Sequence, residues 1–116
     1  MIFDMKLREE PFEMIKSGKK IYELRLLDEK RKMIKIGDKI IFEKVENPLE
    51  KIEVKVVDIL KFSSFIDLYA NLSPLEIGYT EETMNFANYS DMSKYYSEEE
   101  QNRYGVVAIK IEVLSK

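Results

Sequence analysis

Lys20, Glu23 and Arg25, three charged residues within six positions, carry the strongest chemical signal in the sequence. They follow Gly18-Lys19 and are interleaved with Ile21, Tyr22 and Leu24. On a regular strand Ile21, Glu23 and Arg25 share one face, and Tyr22, Leu24 and Leu26 share the other. Glu23 and Arg25 are then neighbours about 7 Å apart. Lys20 has the opposite parity and joins them only where the chain after Gly18 is irregular, a bend that glycine permits. So arranged, the three form a cluster of two cations and one carboxylate. Arg25 can grip a phosphate or carboxylate through its planar fork. Lys20 can hold an anion or, partly desolvated, act as a base. Glu23 can accept hydrogen bonds from an exocyclic amine or a sugar, or activate a water. Lys19 adds positive charge beside them, and Tyr22 and Tyr79 are aromatic candidates for stacking on a base. From residue types alone the alternative is a structural ion-pair network on a barrel wall, with the tyrosines packed in the core or at its rim.

Composition narrows what such a cluster can do. The 116 residues contain no Cys and no His. That excludes zinc sites built from those ligands, nucleophilic catalysis with a histidine base, and any disulfide framework. Available chemistry is limited to Asp, Glu, Lys, Arg, Tyr, Ser or Thr, water, or a hard metal held by oxygen. The run Glu98-Glu99-Glu100 reads as a helix start, since it lacks an ordered ligand spacing for a metal. No metal and no cofactor is expected.

The net charge of −3 argues against coating nucleic acid by bulk electrostatics. Charge is nevertheless unevenly distributed. Eight cations face three carboxylates between Lys16 and Lys35, whereas four cations face nine carboxylates from Ser63 onward. A local basic surface on an acidic protein suits a small anionic target better than a long duplex. No apolar run is long enough to span a membrane, and Asp4 interrupts any signal-peptide core, so a cytoplasmic location is the expectation.

The elements that must position the cluster follow from periodicity. A first strand is predicted from Ile2 to Arg8, where Phe3, Met5 and Leu7 alternate with polar residues. Glu9-Glu10-Pro11 open a short helix with Phe12 and Ile15 inward and Gly18 as its stop. Strands are expected over Lys19–Leu27, Ile40–Lys44 and Ile52–Phe62, with a loop at Asn47-Pro48. Beyond Phe62 the period changes to helical, with caps at Ser63 or Ser64, at Ser73 with Glu76, and at Ser97 with Glu100. Thr80–Asn88 also reads as helical. The closing strand Val106–Val113 begins apolar on both faces and is therefore central. One domain over residues 1–116 is expected, of α+β class: a small β-barrel closed by its last strand, with short flanking helices and a helical insertion before that strand.

Gly18-Lys19-Lys20-Ile21-Tyr22-Glu23-Leu24-Arg25 resembles the G-x-K-x-x-E-x-R signature of ASCH domains, relatives of the PUA fold of RNA-modifying enzymes. Pro11-Phe12 and the short helix before it, Ile36-Gly37-Asp38-Lys39-Ile40-Ile41-Phe42 after it, and the ending from Tyr95 to Ile109 extend the likeness over nearly the whole chain. The ending is similar to that of a branch of small proteins. The resemblance implies a PUA-like barrel with a cleft beside the signature strand, and binding of RNA or a nucleotide-like ligand there. One branch hydrolyses acetylated cytidine with a lysine, a threonine and a distal glutamate. Its lysine corresponds to Lys20, its threonine position is held by Glu23, and Glu76 is the candidate for its glutamate.

The first expectation is therefore a binding module for RNA or a small nucleotide-like ligand, in a cleft lined by Lys19, Lys20, Tyr22, Glu23 and Arg25. The alternative is a hydrolase of an acetylated or otherwise modified nucleoside, with Lys20 and Glu23 as catalytic residues and water attacking directly. A protein–protein adaptor with an acidic helical interface is the third.

Overall fold

The computed structural model describes residues 1–115. Alternation makes the first strand, β1 (Ile2–Leu7): Phe3, Met5 and Leu7 are buried while Asp4 and Lys6 are exposed. Helix α1 (Glu9–Lys16) starts with Glu9 and Glu10 in its first turn, and seats Phe12 and Ile15 on the sheet. The signature strand β2 (Tyr22–Leu26) is shorter than expected, because the chain from Gly18 to Ile21 is irregular. A 3-10 turn, Arg31–Met33, leads to β3 (Lys39–Lys44) and β4 (Asn47–Phe62). Asn47-Pro48 is thus the start of β4 rather than a loop, and the turn is confined to Val45-Glu46. A strand's first residues tolerate proline, since few ladder bonds are required of them. Helix α2 (Phe65–Asn71), three further 3-10 turns and helix α3 (Glu98–Tyr104) make up the insertion before β5 (Val106–Ser115).

Local caps account for part of the insertion. Ser97 and Glu100 form both halves of a capping box at α3, and Ser64 accepts from the Asp67 N–H at α2. At Ser73 no side-chain cap forms. Thr80–Asn88 is not a helix. Thr80 and Thr83 hydrogen bond each other and each other's backbone, and only Met84–Phe86 makes a 3-10 turn. Local side-chain bonds compete with the helical ladder, and no residue of that turn is buried to reward one.

The strands form one mixed sheet in the order β1-β3-β4-β5-β2, parallel only between β1 and β3. Register shifts at Glu53/Val54 and Val56/Asp58 bend the long β4, and the sheet curls into a half-barrel. The last strand lies inside the sheet, as its two apolar faces require, but it does not close a barrel: β1 and β2 remain unpaired edges. Val107, Ile109 and Ile111 face the concave core with Phe12, Phe42 and Val54. Val106 and Ala108 face a second cluster with Leu24, Leu26, Phe65 and Leu68. No helix among the described residues is long and apolar enough to cross a membrane.

Candidate functional site

The irregular turn after α1 assembles the charged cluster. Gly18 adopts φ +81°, and the N–H groups of Lys19 and Lys20 both donate to the Met14 carbonyl at 3.0 and 3.1 Å. Ile21 N–H donates to the Glu76 carbonyl at 3.0 Å, which ties the turn to the insertion. This bend overcomes the parity of Lys20, whose Nζ lies 2.9 Å from Glu23 Oε1. Arg25 reaches the other carboxylate oxygen, with Nε at 2.9 Å and Nη2 at 2.8 Å. Gly78 matters to the same geometry. At φ +116° it leaves room for the Lys20 stem, and a Cβ there would stand 3.2 Å from Lys20 Cδ.

Glu23 is only 3% exposed and sits opposite Ile109, so its carboxylate is on the concave face of the sheet. Burial pushes its pKa upward, but the Lys20 and Arg25 charges and their hydrogen bonds outweigh this and hold it below the ordinary carboxylate range. Arg25 also donates from Nη2 to the Lys6 carbonyl at 3.0 Å. One side chain thus spans the gap between the free edges of the two outer strands, β2 and β1.

Above this cluster is a cleft of about 500 Å³. Pro11 and Met14 of α1 form one wall, and Tyr69, Tyr79, Asp91, Met92, Tyr95 and Tyr96 of the insertion form the other. Tyr79 donates to Asp91 at 2.6 Å and its hydroxyl lies 2.9 Å from that of Tyr69. Burial first, then these two partners, push the Tyr79 phenol far above its ordinary pKa, so it stays a hydrogen-bond donor. Tyr96 stacks on Phe65 with ring centroids 5.9 Å apart. Burial raises its pKa too, with the Arg25 guanidinium opposing.

The main chain contributes to the cleft as well. Ile111 N–H donates to the Ile21 carbonyl and Leu27 N–H to the Gly105 carbonyl, so odd-numbered residues of β2 direct their peptide groups at β5. Tyr22, Leu24 and Leu26 therefore turn theirs to the open edge. Leu24 is one of the cleft residues although its side chain is in the second core cluster.

Of the residues singled out from sequence, Lys20, Glu23 and Arg25 converge and line the cleft. Tyr22 does not: strand parity sends its ring into the opposite cluster, 7% exposed, with Lys110 Nζ 6.0 Å from its centroid. Lys19 is exposed and outside the cleft walls. Glu76 supplies its carbonyl to Ile21, and its side chain is not a cleft wall either. Sequence reasoning missed Asp91, Met92 and Tyr96, which reach the cleft only through long-range packing of the insertion. Among the described residues no group of carboxylates converges as a metal site.

The sequence pattern of the ASCH domain matches residues 5–115. No curated protein matches the chain. Among solved structures, the hypothetical protein PH0355 is 40% identical with a TM-score of 0.79, over 98% of this chain and 100% of its own. The protein PF0455 from Pyrococcus furiosus is 36% identical with a TM-score of 0.73, over the full length of both chains. An ASCH protein from Zymomonas mobilis shares the fold at 16% identity and a TM-score of 0.62, over 94% of this chain and 65% of its own.

Proposed function

Because the chain belongs to the ASCH domain family, a PUA-like family with a proposed role in RNA binding, we propose that the cleft beside β2 binds RNA or a nucleotide-like ligand. The observation that carries this reading is the buried Lys20–Glu23–Arg25 cluster at the base of a cleft walled by tyrosines and methionines. The volume falls in the range of small-molecule sites, roughly 300–1,000 Å³. Tyr95 and Tyr96 offer aromatic faces to a base, Glu23 and Asp91 accept from exocyclic amines or sugar hydroxyls, and the free edge at Leu24 offers a peptide donor and acceptor.

The cluster favours binding over turnover. A carboxylate held ionised by two cations is a weak proton acceptor, and Lys20 is itself engaged by Glu23. The hydrolase would need one of these groups to release its partner before it could take a proton.

The test uses Tyr95, which is 64% exposed at the rim and can be truncated without opening the core. Base stacking on an aromatic side chain is worth about 1–3 kcal/mol, so Tyr95→Ala should weaken binding at least fivefold while the melting temperature of the free protein stays unchanged. Thermal-shift titrations with nucleosides, nucleotides and short RNAs provide the measurement. Wild type unresponsive to all three classes would reject the proposal and leave the adaptor reading in its place. Turnover of acetylated cytidine by wild type, lost in Glu23→Gln, would establish the hydrolase instead.

A further inference from the structure

A second basin adjoins the cleft across Arg25 and Lys6, which line both. It lies on the convex side of β1 and β3, where the register aligns Lys6, Glu43 and Lys51 in a row across β1, β3 and β4. Lys30 and Arg31, at the 3-10 turn Arg31–Met33, flank it. Its lining contains five cations, and only Asp4 and Glu43 carry negative charge. Two of those cations hold carboxylates from outside the lining, Arg25 with Glu23 and Arg31 with Asp28. Neither pairing uses all the donors of the guanidinium, which has five N–H bonds. Among the described residues, Lys6, Lys30 and Lys51 have no carboxylate within 4.0 Å; Lys30 donates only to the Asp4 carbonyl, at 3.2 Å.

One atom stands out independently of charge. Arg31 Nε is shielded from solvent and has no hydrogen-bond partner, the one such side-chain atom found among the described residues. A buried donor left unbonded is costly, and a guanidinium donor especially so. An oxyanion bound against the Arg31 guanidinium would supply a partner for it.

We propose that this basin is a phosphate site, and that it takes a phosphate of the same ligand whose base enters the cleft. The linkage between the two sites rests on the reading of the cleft given above. Arg25 joins them: its Nε and Nη2 are engaged by Glu23, and it forms part of both walls. The natural ligand is then phosphorylated, either a free nucleotide or an RNA strand, rather than a bare nucleoside. Phosphate recognition also explains why the basic stretch extends past the signature strand to Lys30 and Arg31.

The experiment is a two-dimensional NMR titration of the ¹⁵N-labelled full chain, in wild type and in Lys30→Ala/Lys51→Ala, two exposed positions whose change should not disturb folding. The probes are inorganic pyrophosphate, the four nucleosides, their 5′-monophosphates and an eight-nucleotide RNA. Pyrophosphate should shift the amides of residues 30–34 and 51 in wild type and leave the variant unmoved. A monophosphate should bind about tenfold more tightly than its nucleoside, the size of one charge-assisted contact, and lose that advantage in the variant. Nucleoside affinity itself should be equal in both proteins.

Pyrophosphate shifts with a silent cleft would support the basin and reject the reading of the cleft. A responsive cleft with nucleoside and monophosphate binding alike, and no pyrophosphate shift up to about 10 mM, would overturn the basin and leave the cleft standing. RNA binding whose salt slope falls by about 0.7 for each lysine removed, with monophosphates inert, would identify a strand phosphate as the source.

Discussion

Glu23 is the residue on which the site turns. Its carboxylate is buried and tolerated only because Lys20 and Arg25 bracket it at 2.8–2.9 Å. Breaking such a cluster leaves uncompensated charge, and Glu23→Gln should lower stability by about 3 kcal/mol in urea unfolding. The pH dependence has a definite sign. The folded-state pKa is depressed below 4.5, so the contribution is complete above that value and is lost as pH falls through the folded pKa. Asp38, Glu46 and Glu50 are depressed as well, and the diagnostic is therefore a difference between proteins. Stability of Glu23→Gln plotted from pH 6 down to about pH 3 should fall less steeply than that of wild type; parallel curves would show that folding leaves the Glu23 pKa unshifted, and a variant falling more steeply than wild type would show that Glu23 is protonated in the folded protein. This trio was legible in the sequence because strand parity and one glycine suffice to bring it together. The same parity rule, carried one step further, also removes Tyr22 from the cleft and sends it to the other face.

At the level of elements, the insertion from Phe65 to Tyr104 is what converts a sheet edge into a cleft. Its two α-helices, of seven residues each, stand at its ends, and 3-10 turns and irregular chain fill the span between them. It is held by side chains: Tyr79 to Asp91, Tyr69 to Tyr79, Tyr96 on Phe65. Tyr79→Phe deletes the hydroxyl at the centre of this chain and should cost about 1–2 kcal/mol, since it leaves a partly buried carboxylate without its donor. Hydrogen exchange should accelerate in residues 84–96 and stay unchanged in β3 to β5; uniform acceleration would mean that the insertion is not a separate unit. The side-chain cap at Ser64 and the capping box at Ser97 were readable locally. The helix expected at Thr80–Asn88 was not formed, because threonines that bond each other across three residues satisfy the backbone without a helical ladder.

For the whole molecule, the decisive feature is that the sheet curls without closing. β4 and β5 are paired on both sides, while β1 and β2 each keep one free edge and face each other across Arg25. Exchange protection should follow that topology. Amides of Val54, Ala108 and Ile109 should be the slowest. Leu24 should exchange faster than Glu23 and Arg25 on the same strand despite its side chain's burial, because its N–H points to the open edge. A ligand in the cleft should slow Leu24 selectively. Equal protection of Leu24 and Glu23 in the free protein would show that the edge is already covered.

Periodicity, turn chemistry and charge spacing were sufficient, within the sequence itself, for the α+β class, the centrality of β5, and the Lys20–Glu23–Arg25 cluster. All depend on interactions within a few residues, or on which faces of one element are apolar. The sequence could not reveal that the barrel stays open, that Asp91 and Tyr96 come to the signature strand, or that Lys30 and Arg31 share a basin with Lys51. Those depend on how far bulges bend β4 and on where an irregular insertion settles. They are sums of many weak long-range contacts that leave no pattern in the local order of residues.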